Sequence, residues 1–550
     1  MSSVGRPAAY GTTDEPEGEP FMSSTAANEV RTPPAPPRSG RSAAIFALWT
    51  AFSRVAGLAR EILAAAMFGT QGNINAFVIA FNVPNVIRSL VADSALSAAV
   101  IPIYTDLVEQ GRQRDAQRLI GALIGLVTMI LGALTLVAII FAPVFMPFFS
   151  LGLSPALKAE SVHLAQIMFP IILLLALTGL LVAVLQAAGE FGVTGFIPVL
   201  WNVVIIICLA IGELVLPPGA RVTGYAVGIL LGTVAQLLWL LPYMRGRGPF
   251  TLSLGRGFPE VRKVFVMMLP VTLGLGLINI NASVDNIFAG LVSDDAVSSI
   301  DKAFRLYILP QGIFSVAIST VLFPAIARMA SRNDMDGVRN TVTSGLRQIF
   351  FMLLPASVFL IVLAEPVTRL VYQRGAFNAV STSLTSQALV TYTLGLVFNG
   401  ASLLLIRSFF SLQEAWVATK VAVCGLVLNA VGDLLLFRPL GAPGIPLSTS
   451  IVSVVAFFLL MVALRRRIGG LPNKELIRSF VECAVSAMVL GVMAWASYRV
   501  VDPVVGRSLI GQMISVSAAA AVGGIGYLAT AHALRMSELS QLTRLVRALR

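Results

Sequence analysis

The sequence predicts an all-α polytopic membrane protein with about fourteen transmembrane helices. Three observations carry this. Hydrophobic residues make up 57% of the 550 and charged residues only 12%. Apolar runs of about 20 residues, enough to cross the hydrocarbon layer, follow one another with short connections. Lys and Arg recur in alternate loops, the pattern of cytoplasm-facing connections. The net charge of +12 is therefore a topology signal, and nucleic acid is not an expected partner.

In chain order, residues 1–41 are rich in Pro, Gly, Ser, Thr and charge and bury too little apolar surface to order themselves. They read as a disordered cytoplasmic tail. No short cleavable apolar segment follows, so a signal peptide is not expected. Ala43 instead begins a full span. Spans are expected at 43–68, 76–104, 119–147, 161–188, 194–216, 222–243 and 264–292. They continue at 299–327, 341–371, 383–409, 416–437, 444–464, 476–498 and 509–534. The loop with Arg112, Arg114 and Arg118 is cytoplasmic by its charge, as is that with Arg245, Arg247, Arg256, Arg262 and Lys263. Arg328, Arg332 and Arg339 mark a third, and Arg465, Arg466, Arg467, Lys474 and Arg478 a fourth. Intervening loops are poorer in base, and one of them holds Asp294, Asp295 and Asp301. The alternation stays in phase, which places both termini inside and makes 536–550 a cytoplasmic tail, basic and amphipathic from Leu539.

An internal repeat organises these spans. Ser97-Ala-Ala-Val-Ile-Pro102 returns as Ser319-Thr-Val-Leu-Phe-Pro324, about 222 residues on, and Ala80-Phe81 is echoed by Ala303-Phe304. The expected domains are two pseudo-symmetric six-helix lobes, 42–243 and 264–466, with helices 13 and 14 (475–535) as an addition. Repeated halves around a central binding site are a common transporter plan. Enzyme chemistry has little support. Cys208, Cys424 and Cys483 lie in apolar segments without metal-ligand spacing, and His163 and His532 have no partner at interpretable spacing. No phosphate-cradling Gly-rich loop with its Lys is present, so ATP hydrolysis is not expected.

Four arginines interrupt the apolar spans: Arg54 and Arg60 on helix 1, Arg88 on helix 2 and Arg305 on helix 8. Each charge at a bilayer centre costs roughly 2.5–3.5 kcal/mol, on the order of 10 kcal/mol for the set. Carboxylates in those helices are too few to neutralise all four, which points to a wet cavity built for an anion; the plainer alternative is that each Arg snorkels to a headgroup or pairs with Glu61 or Asp93. Glu61 shares the face of Arg54, and Asn75, Asn82, Asn85 and Arg88 recur at intervals of seven and three, a polar stripe beside Pro84. Planar guanidiniums match phosphate oxygens bidentately, and a pyrophosphate fits several of them best. A second cluster has the opposite sign. Asp285 lies within helix 7, Asn429 and Asp433 are four apart on helix 11, and Thr449 is on helix 12. These oxygens suit a hard cation or a proton, or ordinary polar packing between helices.

Several stretches resemble the MurJ/MviN family of lipid II flippases, within the multidrug/oligosaccharidyl-lipid/polysaccharide exporter superfamily. They are Ser53-Arg-Val-Ala-Gly-Leu-Ala-Arg60 through Phe68-Gly69, and Asn75 through Arg88. Leu185-Gln-Ala-Ala-Gly189, Pro198-Val-Leu-Trp-Asn202, Gln373-Arg-Gly-Ala-Phe377 and Arg407-Ser-Phe-Phe-Ser-Leu-Gln-Glu414 add to them. The likeness covers about residues 43–466. It implies fourteen helices in two lobes, alternating access, and lipid II as cargo, with Arg54, Arg60, Arg88 and Arg305 holding the pyrophosphate. It also implies a sodium site of Asp285, Asn429, Asp433, Thr449 and the Ile445 carbonyl, and a lipid-tail groove at helices 13 and 14. Asn75 stands where many members of the family have Asp, and Phe304 and Ile308 stand beside Arg305 where some members have acids. The expected partners are lipid II and the bilayer of a bacterial plasma membrane, with cell-wall synthesis proteins beside it, and the expected state is a monomer. The alternatives are a flippase for another polyprenyl-pyrophosphate glycan, or a cation-coupled drug exporter, for which an arginine-lined cavity is ill suited.

Overall fold

The computed structural model describes residues 39–91, 95–245 and 259–539, and its regular elements there are all helical. The first group is α1 (Ser39–Phe68), α2 (Asn73–Val91), α3 (Ala95–Glu109) and α4 (Gln113–Phe149), then α5 (Pro155–Met168), α6 (Pro170–Ala187), α7 (Phe191–Val215) and α8 (Arg221–Leu240). Next come α9 (Pro259–Val292), α10 (Ala296–Pro310), a π-turn (Gln311–Ser315) and α11 (Val316–Ser331). The chain continues with α12 (Met335–Val362), α13 (Ala364–Tyr372), α14 (Ala379–Thr393) and α15 (Leu396–Ser411). It ends with α16 (Ala415–Leu440), α17 (Gly444–Arg467), α18 (Asn473–Val505) and α19 (Leu509–Ala533).

Ten helical stretches among the described residues are long and apolar enough to cross a membrane, and eleven if the bent pair α14–α15 is one span. The protein is thus a multi-pass membrane protein. The other three expected runs, 43–68, 76–104 and 264–292, hold α1, α2 with α3, and α9, which do not meet that criterion over the described residues.

Several spans expected to be continuous are broken. Pro170 and Pro366 each lack an amide donor and crowd the carbonyl four residues back, so the chain breaks at Phe169 and at Leu363. The pair α14–α15 bends by 48° at Leu394 and Gly395. After Pro310 the backbone widens into the π-turn, the form in which a helix takes up an extra residue. Asn399 braces that turn from α15: its Nδ2 donates to Tyr307 Oη at 2.8 Å, and its Oδ1 accepts from Gln311 Nε2 at 3.1 Å.

α1 packs on α7, α7 on α8, α2 on α5 and α3 on α6; α16 packs on α17, α15 on α17, α10 on α14 and α11 on α12. α9 touches both sets, through α2, α3 and α4 on one side and α16 on the other. α18 and α19 pair with each other and lean on α12. The elements also recur: α4 and α12 begin at Gln113 and Met335, α7 and α16 at Phe191 and Ala415, α8 and α17 at Arg221 and Gly444, which is 222–224 residues apart each time.

The hydrogen bonds that join α1 and α2 to α10, α13 and α14 gather at one end of the bundle. There Gly69 (φ +63°) and Gly375 (φ +54°) sit in left-handed backbone and touch each other's helix. A Cβ on Gly69 would lie 2.6 Å from Ala376 O, and one on Gly375 would collide with Ala66 O. The close approach lets Ala376 N donate to Ala66 O at 2.7 Å and Thr70 Oγ1 donate to Ser381 Oγ at 2.8 Å. At the far end of the chain, residues 536–539 are packed rather than a free tail. Glu538 Oε1 accepts from Arg347 Nε and Ser479 Oγ, both at 2.8 Å. Burial alone would raise the Glu538 pKa, but these donors and the Arg347 charge hold it below the usual carboxylate range. The tail readings for 1–38 and 540–550 lie outside the described residues.

Candidate functional site

α1 brings Arg60 and Glu61 side by side against α10, which offers Asp301, Lys302 and Arg305. On a helix, residues three and four apart share a face, so Asp301 and Lys302 both stand beside Arg305. Glu61 is the hub. It accepts from Arg60 Nη2 at 2.6 Å and from Lys302 Nζ at 2.6 Å, and Arg305 Nε lies 3.1 Å from its Oε2. Arg305 also donates from Nε to Asp301 Oδ2 at 3.0 Å and from Nη2 to Oδ1 at 3.3 Å. Arg60, Glu61 and Lys302 are buried, whereas the Arg305 side chain keeps 36% of its surface open. Arg60 is roofed by α7, its guanidinium 4.7 Å from the centre of the Trp201 ring, and its Nε and Nη1 have no acceptor.

Three cations here face two carboxylates, leaving one positive charge over. Isolated burial of each ion would cost several kcal/mol, so the mutual pairing is what lets them sit inside the bundle. Glu61, the alternative partner the sequence offers, and Asp301, which it does not offer, therefore supply the neutralisation. This corrects the reading of unpaired arginines for Arg60 and Arg305. It also corrects Glu61, whose carboxylate is a counter-ion and would repel an anion rather than bind one.

Arg54 is different. It is exposed on α1, and its Nη1 lies 3.7 Å from where a Cβ on Gly312 would stand, so it reaches across to the π-turn. Arg88 falls on α2, and its side chain lies outside the described residues. Asn82 and Asn85 are half-buried on the same helix, which runs on through Pro84.

Asn75 leaves the proposed polar stripe altogether. It is fully buried; its Nδ2 donates to Thr70 O at 2.8 Å, and its Oδ1 accepts from Ser298 N at 2.8 Å. Ser298 is the third residue of α10, one of the amides a helix cannot satisfy internally. Asn75 thus caps α10 from another helix, a structural task. Sequence reading also missed Lys302 and Asp301. The charge pattern groups Asp301 with a loop, yet it lies inside α10 beside Lys302. The signal was available in the Asp301-Lys302-x-x-Arg305 spacing, which puts three charges on one helical face.

The second cluster assembles on α9, α16 and α17. Asn429 Nδ2 donates to Asp285 Oδ1 at 2.5 Å and to Asp433 Oδ2 at 3.2 Å, and Thr449 Oγ1 donates to Asp285 Oδ2 at 3.3 Å. The Ile445 carbonyl lies 3.5 Å from Thr449 Oγ1. Asn429, Asp433 and Ile445 are completely buried, and Asn429 Oδ1 and Asp433 Oδ1 have no donor. Two buried acceptor oxygens without hydrogen bonds, beside the Asp285 carboxylate, suit a hard cation or a proton.

A family model described as "Lipid II flippase MurJ" matches residues 64–531. The lipid II flippase MurJ of Burkholderia cenocepacia is 29% identical over 462 residues, covering 82% of this chain and 88% of that protein. The probable lipid II flippase MurJ of Buchnera aphidicola is 30% identical over 434 residues, 78% of this chain and 84% of its own. Among solved structures, a lipid II flippase MurJ in an inward closed conformation superposes with a TM-score of 0.74 at 23% identity, over 89% of this chain and 98% of that one. An inward-facing multidrug resistance MATE family transporter of the MOP superfamily gives 0.64 at 16% identity, over 76% and 94%. At those identities the two structures establish the shared fold.

Proposed function

The chain belongs to the lipid II flippase MurJ family, and on that premise we propose that it is a lipid II flippase, a membrane transporter and not an enzyme. It moves the undecaprenyl-pyrophosphate-linked peptidoglycan precursor from the inner to the outer leaflet. The observation that carries this is the set of guanidiniums where α1 meets α10 and the π-turn: Arg60 and Arg305 joined through Glu61, and Arg54 against Gly312.

In this reading fourteen spans form two six-helix lobes plus α18 and α19, whose groove takes the lipid tail. The 222–224-residue recurrence of helix starts supports the two halves. Both termini are cytoplasmic, and the protein works as a monomer in the bacterial plasma membrane, with wall-synthesis proteins as neighbours. The end sealed by Gly69 and Gly375 is the outer one. The lobes rock about α9, which touches both.

Glu61 is the resident anion of the cluster. A diphosphate admitted from the inner side competes with it for Arg305, the most open member of the cluster, and for the spare donors of Arg60. As Arg305 turns to the cargo, Glu61 and Lys302 lose part of what holds α1 to α10, and the sealed end can part. The phosphate charge meets guanidinium throughout and never hydrocarbon. A membrane potential supplies about 2.3 kcal/mol per charge per 100 mV toward resetting the empty carrier.

Asp285, Asn429, Asp433, Thr449 and the Ile445 carbonyl would hold a sodium ion, whose charge offsets the carboxylate pair. The ion biases one state of the cycle to the extent that it binds that state more tightly.

The test is complementation of bacteria depleted of their own lipid II flippase. The wild-type chain should restore wall synthesis, and Arg54→Ala, Arg88→Ala and Arg305→Ala should fail at equal membrane abundance. Rescue by all three variants would rule out the arginine chamber.

A further inference from the structure

Beyond the charged cluster, cations continue along the α10–α11 face toward the opposite end. Arg407 on α15 donates from Nη1 to Thr320 Oγ1 at 2.7 Å. That hydroxyl spends its own proton on Val316 O at 2.6 Å, so it can only accept from the guanidinium. Thr320 therefore fixes Arg407 in place without neutralising it, and the remaining donors of the guanidinium fork stay available. Thr320 is exposed and Arg407 half-exposed. Among the described residues, the ion pairs on this face of α10 and α11 are those of Arg305 with Glu61 and Asp301 and of Lys302 with Glu61. Arg54 and the exposed Arg328 complete the series.

We propose that Arg407, set by Thr320, is a second anion station that takes the diphosphate before Arg305 does, the middle rung of a basic path from Arg328 past Arg54. This rests on the flippase reading above and deepens it. The rungs stand at positions 328, 320, 312 and 305 of one continuous run, Arg407 being tied to Thr320 and Arg54 lying against Gly312. Steps of seven and eight residues at 1.5 Å each are about 10–12 Å. That is close to the screening length of ~8–10 Å at 0.1–0.15 M salt, so an anion leaving one rung already feels the next. The Pro310 π-turn keeps the steps on one side, because the residue it takes up offsets the drift of a straight helix over this length. Since no carboxylate pairs with Arg407 among the described residues, it exchanges its ligand more readily than Arg305, as a loading station should.

Phosphate at Arg407 could come from the cargo or from a phospholipid headgroup, and the experiment separates them. Purified full-length protein is reconstituted into vesicles of neutral phosphatidylcholine, or of the same lipid with added anionic phosphatidylglycerol, and flipping of lipid II is measured against its concentration and ionic strength. Arg407→Gln should raise the half-saturating concentration about five- to tenfold, the equivalent of about 1–1.4 kcal/mol, in both lipids. It should also flatten the salt dependence. Arg407→Lys should recover most of the loss, and Thr320→Val should give about a twofold rise, the guanidinium being kept but freed. These variants also guard against a folding defect. Arg407→Gln indistinguishable from wild type, or impaired only with anionic lipid, overturns the station. A wild-type protein that flips no lipid II overturns the flippase reading itself, and the station with it.

Discussion

Lys302 is buried to 4% exposure and has one acidic partner, Glu61, at 2.6 Å. Removing one side of a buried pair leaves the other charge without part of its compensation, which is costly when nothing else is near. Here Arg60 and Arg305 remain on Glu61, so Lys302→Met should destabilise the protein by about 1–3 kcal/mol. Glu61→Gln should do the same. The double variant should recover part of the loss, with a coupling of about 1–3 kcal/mol between the two sites. Thermal unfolding of the purified variants in detergent measures this, and additive losses would show that the pair does not act as a pair. At this scale the sequence showed where unusual charge lies but not its partners. Arg60 and Arg305 were legible because an arginine in an apolar run is conspicuous. Asn75 was misplaced because its partner, the Ser298 amide, is 223 residues away and is backbone. Nothing in side-chain periodicity announces an uncapped helix end elsewhere in the chain.

Helix existence was legible from hydropathy, and helix continuity was not. An apolar run reads the same whether one helix or two half-helices occupy it, so the breaks at Phe169 and Leu363 and the π-turn passed unseen, although Pro170, Pro366 and Pro310 were on view. The second cluster was more transparent. Asn429 and Asp433 share a face by spacing alone, and only their meeting with Asp285 and Thr449 needed the fold. That meeting ties α9 to α16 and α17. If sodium fills the acceptors Asn429 Oδ1 and Asp433 Oδ1, it stabilises the three-helix packing by about 1.4–2.7 kcal/mol at 10–100 times its dissociation constant. Purified protein should then melt at higher temperature in sodium chloride than in equimolar potassium chloride, and Asp433→Asn should abolish the difference. Identical melting in both salts would remove the sodium proposal while leaving the arginine chamber untouched.

Across the whole molecule, charge and contact are distributed in opposite directions. The direct hydrogen bonds between α1–α2 and α10–α14 crowd at one end, around Ala66, Thr70 and Asn75. Among the described residues, Arg54, Arg407 and Arg328 have no carboxylate partner and lie along α10–α11 away from it, whereas Arg374 at the sealed end is held by the carbonyls of Leu370 and Val371. A sealed end and a basic approach from the other side are what a carrier of a lipid diphosphate needs before it turns. The repeat was visible in the sequence as two short echoes. Its full extent, from α4 with α12 to α8 with α17, shows only in the helix starts, because sheer apolarity constrains most positions in a span without constraining their identity. The most direct test of the central claim is a cryo-electron microscopy map of the protein with lipid II bound. The diphosphate should lie between α1 and α10, within hydrogen-bond reach of Arg305 and of Arg54 or Arg60, with Glu61 drawn away from Arg305. A map with the headgroup elsewhere and the Glu61–Lys302–Arg305 cluster intact would contradict it.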